Sequence, residues 1–323
     1  MDLPIVPLDR PEPTVVVEAL SRHGFLLVDR GGHGDEELTT LDQAAQRYFA
    51  QPEDVRARDA MARNGRTWRG WFGVGGELTS GRPDGKEGFY FGTDLPADDP
   101  RVLAGLPLHG PNPTPTGVPE LGDAVRRWMA LATDVGHRLL AAVAEGLELP
   151  ADWFRTGWCA DPVVLFRIFR YPPADQVDDG IGVQQHTDYG LLTVLAHDGT
   201  PGLQVFVDDQ WIDVPADPAL LVVNIGDMLE RATSGFLRST LHRVRSQSTA
   251  RLSFPLFLDP GWDVRVENLP IDPARFGPSA GRGHRWDDID PLSDGLFSGE
   301  WTYGEYLTNK VSRVFPDLLD GTG

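Results

Sequence analysis

The sequence predicts a mainly β fold, an antiparallel sandwich or barrel of the jelly-roll kind with helices packed around it. Short apolar segments recur between about residues 163 and 266. They are predicted as strands at 163–169, 191–196, 203–207, 211–214, 220–225, 242–245 and 252–258. Turn sequences such as Gly199-Thr200-Pro201-Gly202 and Asp208-Asp209 lie between them. Many short strands joined by turns are typical of antiparallel sandwiches and barrels.

A long amphipathic helix is predicted before these strands. Its apolar residues recur at steps of three and four, which gives the helix one apolar face; they are Leu121, Val125, Trp128, Ala132, Val135, Leu139 and Val143. Pro150 follows and is expected to end the helix. We therefore expect the apolar face to pack behind the sheet.

The amino-terminal region mixes helix and strand. A helix capped by Thr14 is predicted to run to Arg22, and a strand is predicted at 25–28 after Gly24. A second helix follows, with an apolar stripe of Leu38, Leu41, Ala45 and Tyr48. Residues 67–92 are rich in glycine and aromatic side chains, a composition that predicts a loop.

Four regions are expected along the chain. Residues 1–119 form a mixed α/β amino-terminal region and residues 120–150 the long backing helix. Residues 151–269 form the β core, and residues 270–323 a carboxy-terminal helical and loop cover. The cover includes Trp301-Thr302-Tyr303-Gly304-Glu305-Tyr306-Leu307, which is predicted to start a final helix.

Composition narrows the class of protein. A chain of 323 residues with 41% apolar content can bury a substantial core. Its single cysteine excludes an internal disulfide, and no apolar stretch reaches the roughly 18 residues of a membrane span. A net charge of −19 argues against general binding to nucleic acid or anionic membranes. We expect a cytoplasmic protein, with a monomer favoured and an oligomer left open.

Three residues have the chemistry of a metal site. His186 and Asp188 stand two positions apart, and side chains at this spacing in a strand leave the same face. His242 lies further along, in Ser239-Thr240-Leu241-His242-Arg243-Val244. Two imidazoles and one carboxylate on one side of a metal leave its other positions open, as in non-haem Fe(II) enzymes that activate dioxygen. A His-x-Asp pair alone is also common on solvated strands, so the prediction depends on the later residues.

An alternating strand follows the second histidine. In Arg251-Leu252-Ser253-Phe254-Pro255-Leu256-Phe257-Leu258 the even positions are all large and apolar. If the even face is buried, the guanidinium and the hydroxyl leave the opposite face together, where they could bind a carboxylate. An exposed strand with a salt-bridged arginine is the alternative.

In order and spacing, these segments resemble the signature of the isopenicillin N synthase-like family of Fe(II) and 2-oxoglutarate-dependent oxygenases. Two further segments extend the likeness: Arg167-Ile168-Phe169-Arg170-Tyr171-Pro172-Pro173 is similar to the family's Asn-Tyr-Tyr-Pro element, and Asn224-Ile225-Gly226-Asp227 matches its Asn-x-Gly-Asp. The resemblance covers nearly the whole chain. It implies that the jelly roll is a double-stranded β-helix with the metal inside one open end.

The resemblance also implies roles for individual residues. His186, Asp188 and His242 would hold Fe(II), while Arg251, Ser253 and Tyr171 would bind the distal carboxylate of 2-oxoglutarate. Dioxygen would be the oxidant. The family couples decarboxylation of 2-oxoglutarate to succinate and CO2 with hydroxylation, desaturation or cyclisation of a second molecule. That substrate is expected to be a small specialised metabolite or amino-acid derivative.

The substrate pocket is less well defined by the sequence. In relatives, the region around residues 69–90 borders the pocket, which makes Phe72, Phe89, Phe91 and Arg167 candidate substrate residues. Phe169 and Arg170 depart from the family's asparagine and tyrosine, so the contacts of those residues cannot be carried over. The charged residues of this region could anchor a substrate or form structural ion pairs; they are Arg69, Glu77, Lys86, Glu87 and Arg167.

The sequence is also compatible with two other functions. An isopenicillin N synthase-like Fe(II) oxidase would keep the metal without using 2-oxoglutarate, and the Arg-x-Ser pair would then hold a substrate carboxylate. A non-catalytic jelly-roll binding protein is the third possibility, but it would have no need for His186, Asp188, His242, Arg251 and Ser253 together. Nucleotide cofactors are not expected, because no phosphate-binding glycine motif in the right context is found.

Overall fold

The computed structural model of the protein describes residues 3–79, 81–177, 180–277 and 301–315. Within these ranges the strands are β1 (Ile5–Pro7), β2 (Phe25–Asp29), β3 (Gly70–Phe72), β4 (Leu78–Thr79), β5 (Arg82–Pro83), β6 (Glu87–Gly92), β7 (Val163–Tyr171), β8 (Ile181–His186), β9 (Leu192–His197), β10 (Leu203–Val207), β11 (Gln210–Asp213), β12 (Leu220–Ile225), β13 (His242–Arg245) and β14 (Arg251–Asp259).

The described α-helices are α1 (Pro13–Arg22), α2 (Asp35–Phe49), α3 (Glu53–Arg56), α4 (Pro100–Leu103), α5 (Glu120–Gly146), α6 (Trp153–Thr156), α7 (Asp227–Ala232) and α8 (Tyr303–Val314). Short 3-10 helices lie at Ala57–Asp59, Met61–Thr67 and Ala174–Gln176. In the part of the chain that is described, no helix is both long and apolar enough to cross a bilayer.

The strands form two main sheets. The large sheet has eight strands in the order β1-β2-β12-β9-β14-β7-β6-β3, and the small sheet has four in the order β11-β10-β13-β8. A two-stranded hairpin, β4–β5, lies apart from both. The pairs within the small sheet, and those between the neighbouring core strands of the large sheet, are antiparallel. This is the jelly-roll core that the sequence predicts.

Each face of the large sheet packs against a different partner. Val222 of the large sheet shares an apolar cluster with Val183, Val205 and Val244 of the small sheet, so one face lies between the sheets. The other face packs against helices, above all α5. A Cβ placed on Gly136 of α5 would lie 2.8 Å from the Leu258 side chain, so the helix approaches β14 closely. Successive side chains along each strand point to these two faces in turn, and both faces are buried.

The prediction of a loop at residues 67–92 was wrong for β3 and β6. These strands extend the edge of the large sheet, with β6 antiparallel to β7. Gly88 of β6 makes room for aromatic rings, since a Cβ there would lie 2.8 Å from the ring of Phe72 and 2.9 Å from that of Phe169. Between the strands the glycines lie in turns, where Gly75 and Gly81 adopt positive φ.

The amino-terminal region contributes to the same sheet as the β core. β1, β2, β3 and β6 precede residue 119, yet all four are part of the large sheet. The first helix begins two residues earlier than expected, because Glu12 and not Thr14 caps it, by accepting a 2.9 Å hydrogen bond from the Val15 amide. Of the expected cover at 270–323, residues 278–300 and 316–323 lie outside the described residues. Its described helix is α8.

Gly24 lies between α1 and β2, where the backbone turns against residues 238–240. Its φ is +70°, and a Cβ there would lie 2.1 Å from the carbonyl oxygen of Arg238. We expect Gly24→Ala to lower the free energy of unfolding by about 2–4 kcal/mol, from backbone strain plus overpacking. Urea denaturation followed by circular dichroism measures the change.

Gly31 provides a matched control for this substitution. Its φ is +56°, but a Cβ there would meet nothing within 4 Å. Gly31→Ala should therefore cost only the backbone strain, about 1 kcal/mol. Equal losses of stability in the two variants would contradict the packing argument.

Candidate metal centre

His186 and His242 face each other across two strands of the small sheet. His186 is the last residue of β8 and His242 the first of β13, and the two are directly paired in the antiparallel register. Their ring centroids are 4.2 Å apart. Opposed residues in an antiparallel pair leave the same face, so the strand pairing itself brings the two imidazoles together.

Backbone carbonyls orient both imidazole rings. Nδ1 of His186 lies 2.8 Å from the Gln184 carbonyl oxygen, and Nδ1 of His242 lies 3.1 Å from that of Thr240. A carbonyl only accepts, so each Nδ1 carries the proton and donates it. Each Nε2 is then left with a free lone pair, the form in which a neutral imidazole binds a metal.

Asp188 lies beyond the strand and not within it, contrary to the expectation of two ligands on one strand. β8 ends at His186, and the turn that follows directs the Asp188 carboxylate back towards the histidines. Its Oδ1 is 3.9 Å from Nε2 of His186 and 3.7 Å from Nε2 of His242. One ligand atom from each of the three residues lies within 4.8 Å of the others.

Two residues with no role predicted from the sequence hold the carboxylate in place. Oδ2 of Asp188 accepts hydrogen bonds from Thr193 Oγ1 at 2.5 Å and from Asn224 Nδ2 at 2.7 Å. Oδ1 is left facing the histidines. Asn224 opens the Asn-Ile-Gly-Asp segment noted in the sequence, so the motif was a usable signal for this role. Thr193 had no such signal.

The same segment connects the loops that carry Asp188 and His242. The Asp227 amide donates to the Asp188 carbonyl at 2.8 Å, and Ser239 Oγ donates to Asp227 Oδ1 at 2.8 Å. Ser239 lies three residues before His242. Asp227 therefore connects the two ligand-bearing segments, which are far apart in sequence.

The electrostatics of the three residues suit a divalent cation. Burial, reinforced by the neighbouring His242, lowers the pKa of His186 to about 4, so its imidazole is neutral at physiological pH. Burial by itself would raise the pKa of Asp188, but the two histidines and the hydrogen bonds from Thr193 and Asn224 lower it overall. The set is one carboxylate and two neutral imidazoles, which fits Fe(II) and leaves coordination positions open.

Arg251, Ser253 and Tyr171 lie together on the inner face of the large sheet. Arg251 is paired with Tyr171 across β14 and β7, and Ser253 leaves the same face two residues along β14. The Arg251 guanidinium carbon is 5.1 Å from the centre of the Tyr171 ring. All three residues are buried, with exposures of 3%, 2% and 3%.

Arg251 has an unsatisfied nitrogen. Its Nε donates to the Thr200 carbonyl at 3.2 Å, while Nη1 is buried with no hydrogen-bond partner among the described residues. Burial lowers the pKa of Arg251, and burial raises the pKa of Tyr171 against the positive charges of Arg251 and Lys86. An unpaired buried guanidinium is costly, and a carboxylate would offset that cost. This fits the expected carboxylate site.

The four candidate substrate residues separate onto opposite faces. Phe72 and Arg167 lie on the inner face, since Phe72 pairs with Gly88 and Arg167 with Tyr90. The Arg167 guanidinium lies 3.5 Å above the Tyr90 ring.

Phe89 and Phe91 lie on the other face and are not brought to the metal ligands. The Phe89 ring centroid is 5.2 Å from that of Tyr48 in α2, and Phe91 packs at 6.3 Å on Phe166. Alternation along β6 explains the difference, because residues one position apart leave opposite faces. Phe89 and Phe91 therefore contribute to the core behind the sheet.

A buried ionic cluster lies beside the inner-face aromatics. Lys86 contacts Glu77 at 2.8 Å and Asp84 at 2.5 Å, and Tyr90 donates from its hydroxyl to Glu77 at 2.5 Å. Burial would lower the pKa of Lys86, but the two carboxylates raise it above its usual value. The Lys86 ammonium also lies 4.6 Å from the centre of the Phe169 ring. The barrel interior is therefore charged as well as aromatic.

Glu87 and Arg69, by contrast, have structural contacts. Glu87 pairs with Arg170 at 2.9 Å and with Arg56 at 3.2 Å, and it accepts from Trp71 Nε1 at 3.0 Å. Arg69 donates to the carbonyls of Thr93 at 2.8 Å and Leu108 at 3.1 Å. Glu87 therefore forms the structural ion pairs of the alternative, whereas Arg69 is held by backbone carbonyls.

The described part of the cover reaches the inner-face aromatics. Phe315, directly after α8, packs on Phe72 at 5.7 Å and on Tyr90 at 5.6 Å between ring centroids. Lys310 of α8 lies 4.8 Å from the centre of the Tyr189 ring, next to Asp188 in the chain. A cavity of about 320 Å³ is lined by residues that include Arg69, His109, Val163, Leu165 and Trp262, but by none of the residues predicted to bind the metal or 2-oxoglutarate.

Comparison with known proteins matches the chain to families of iron-dependent oxygenases. Residues 161–260 match the 2OG-Fe(II) oxygenase superfamily, and residues 9–117 match the family described as non-haem dioxygenase in morphine synthesis N-terminal. A protein of Dictyostelium discoideum named as an iron/ascorbate oxidoreductase is 36% identical, over 94% of this chain and 88% of its own. The 2-oxoglutarate-dependent ethylene/succinate-forming enzyme of Ralstonia nicotianae is 31% identical, over 88% and 81%.

A solved structure shows the same architecture. A 2OG-Fe(II) oxygenase family protein from Caulobacter crescentus superposes with a TM-score of 0.75 at 25% identity, covering 96% of this chain and 98% of its own. The protein belongs to the 2OG-Fe(II) oxygenase superfamily, in its isopenicillin N synthase-like branch. It is an Fe(II) and 2-oxoglutarate-dependent dioxygenase, with dioxygen as the oxidant.

Asn224 provides a test of the metal centre. Asn224→Ala removes one of the two hydrogen bonds that orient Asp188, so we expect the affinity for Fe(II) or Co(II) to fall by about 10–100-fold. Anaerobic titration calorimetry with Co(II) measures this. Asn309→Ala is the control, since Asn309 lies on α8 and donates to the Glu305 carbonyl at 2.9 Å. An unchanged affinity in Asn224→Ala would contradict the assignment.

Proposed function

We propose that His186, Asp188 and His242 hold Fe(II) and that Arg251, Ser253 and Tyr171 hold the distal carboxylate of 2-oxoglutarate. The enzyme then oxidises a small specialised metabolite or amino-acid derivative by hydroxylation, desaturation or cyclisation. The observation that carries this proposal is the unsatisfied Nη1 of Arg251, buried on the inner face of the sheet that also supplies Thr193 and Asn224 to the metal centre.

The protein's own residues prepare the site for these groups. Thr193 and Asn224 occupy one carboxylate oxygen of Asp188 and leave the other for the metal. The fixed tautomers of the histidines present both Nε2 lone pairs without a proton to remove. Bound Fe(II) supplies coordination positions for the 2-oxo acid end of the cosubstrate and for dioxygen. Arg251 neutralises the charge of the other end.

The cosubstrate is also favoured by the charge inside the barrel. Lys86 is balanced by two carboxylates, whereas the described residues form no ion pair with Arg251. A dianion that places one carboxylate at the metal and the other at Arg251 satisfies both positive sites. Burial strengthens these interactions, because charges attract more strongly in a low dielectric.

The proposed substrate class depends on the inner-face residues. Phe72, Phe169 and Phe315 provide an apolar, aromatic surface. The buried charges beside it are satisfied within the protein, since Lys86 is paired with two carboxylates and Arg167 donates to backbone carbonyls. A small molecule with an apolar or aromatic body is complementary to this surface. The relative from Ralstonia nicotianae, whose name specifies 2-oxoglutarate dependence, supports the proposal only at the level of the cosubstrate.

Arg251→Ala tests the cosubstrate site. Adding 2-oxoglutarate to the Fe(II) protein without oxygen should produce a visible metal-to-ligand absorption band. In Arg251→Ala the dissociation constant should rise about 30-fold or more, because loss of a buried charge partner costs about 2 kcal/mol or more. Arg138→Ala, which alters an exposed arginine of α5, is the control and should leave the band unchanged.

The same preparation separates the two iron enzymes considered above. With oxygen admitted, succinate should form from 2-oxoglutarate even without substrate, at a slow rate. Iron binding without the band and without succinate would favour an Fe(II) oxidase that does not use 2-oxoglutarate. Failure to bind iron would favour a non-catalytic binding protein.

A metabolite library tests the substrate class. Incubation with Fe(II), 2-oxoglutarate and oxygen should convert small metabolites with an apolar or aromatic body, and mass spectrometry should detect a gain of one oxygen atom or a loss of two hydrogen atoms. In Phe72→Ala, turnover of a substrate found in this way should fall, while the visible band with 2-oxoglutarate stays unchanged. A substrate that carries no apolar group and is unaffected by Phe72→Ala would contradict the proposed class.

A further inference from the structure

His197 is a buried histidine with an unsatisfied ring nitrogen. It is the last residue of β9 and is 4% exposed. Its Nε2 is buried and has no hydrogen-bond partner among the described residues. A buried polar atom without a partner costs free energy, so the position of this nitrogen calls for a ligand or another explanation.

The hydrogen bonding of the ring decides which nitrogen carries the proton. The Gly199 amide donates to Nδ1 of His197 at 3.0 Å, so Nδ1 is the acceptor and holds no proton. Burial, with the positive charge of Arg251 as the next cause, lowers the pKa of His197 to about 4, and the ring is neutral at physiological pH. The single proton therefore sits on Nε2, which is a donor.

The strand register places this donor beside the proposed carboxylate site. His197 is directly paired with Ser253 across β9 and β14, so the two side chains leave the same face of the sheet. Arg251 leaves that face two residues before Ser253, opposite Tyr171. The four side chains lie on three adjacent strands, with β14 in the middle.

The turn after β9 orients His197 and Arg251 together. Gly199 holds Nδ1 of His197, and the carbonyl of Thr200 accepts from Nε of Arg251 at 3.2 Å. The carboxylate of Asp198 accepts from the Leu252 amide at 2.6 Å, which fixes the turn against the start of β14. With Nδ1 and Nε occupied, the free donors are Nε2 of His197 and Nη1 of Arg251.

We propose that His197 is a further cosubstrate-binding residue, whose Nε2–H donates a hydrogen bond to the distal carboxylate of 2-oxoglutarate alongside Arg251 and Ser253. The inference rests on the proposed function of that site. Both unsatisfied groups are donors, so their shared ligand must be an acceptor, and a carboxylate is an acceptor with two oxygens. One oxygen can serve each donor.

The test compares the binding of two 2-oxo acids to the Fe(II) protein without oxygen, first in the wild type and in His197→Phe. 2-Oxoglutarate carries the distal carboxylate, and 2-oxopentanoate has a methyl group in its place. In His197→Phe, which keeps a ring and removes the donor, the dissociation constant for 2-oxoglutarate should rise by about 10–100-fold, as expected for a hydrogen bond to a charged group. The constant for 2-oxopentanoate should stay nearly unchanged. Calorimetry and the visible band measure both.

A conservative variant separates hydrogen bonding from a structural role. His197→Gln retains an N–H donor at a similar reach, so it should restore most of the affinity for 2-oxoglutarate. His137→Phe makes the same exchange on α5 and should change neither constant. Circular dichroism checks that all variants are folded, and the retained affinity for 2-oxopentanoate shows that the metal centre is intact.

Two results would overturn the proposal. Equal weakening of both 2-oxo acids in His197→Phe would show that the ring only supports the fold. Unchanged binding of 2-oxoglutarate would show that Nε2 serves another group, such as a bound water. The outcome is separate from that of the proposed function: if the wild-type protein or Arg251→Ala behaves contrary to the earlier prediction, the carboxylate site itself is wrong, whereas failure at His197 alone leaves it standing.

Discussion

The pairing of β8 with β13 is the constraint on which the metal centre depends. His186 and His242 meet because their strands are antiparallel and in this register. A slip of one residue would turn one imidazole to the opposite face, since strand side chains alternate. The apolar cluster that includes Val183 of β8, Val244 of β13 and Val205 of β10 buries the face between the sheets and opposes such a slip. Packing of small apolar side chains thus maintains the geometry of a polar site.

The interior charges of the barrel are satisfied in different ways. Lys86 is paired with Glu77 and Asp84, and Arg167 lies over the ring of Tyr90 while donating to backbone carbonyls. Arg251 donates from Nε to the Thr200 carbonyl, but its Nη1 has no hydrogen-bond partner among the described residues. A charge that the protein itself satisfies stabilises the fold, whereas a charge left open favours a ligand of opposite sign. This difference distinguishes Arg251 from the other two cations.

The amino-terminal strands and the described cover complete the surroundings of the site. β6 brings Lys86, immediately before it, and Tyr90 to the edge of β7, and Phe315 after α8 packs on Tyr90. Residues from the beginning, middle and end of the chain therefore form one aromatic and ionic surface.

The sequence by itself determined the jelly-roll core and the long helix, and it predicted three candidate metal ligands. Short apolar segments bounded by turn residues are local signals, and they predicted β7, β9, β10, β12 and β14 to within about two residues. The order and spacing of the family's motifs pointed to His186, Asp188 and His242. In the structure, one ligand atom from each of the three lies within 4.8 Å of the other two.

Tertiary structure alone decided which face each remaining residue occupies. Phe72 and Phe89 are both aromatic and both in the glycine-rich region, yet one faces the barrel and the other faces α2. Strand pairing between distant segments sets that choice, and local composition carries no record of it. The same holds for His197, a histidine with no motif around it, whose proposed role depends on its pairing with Ser253. These positions depend on contacts between residues far apart in the chain, and such contacts exist only in the folded protein.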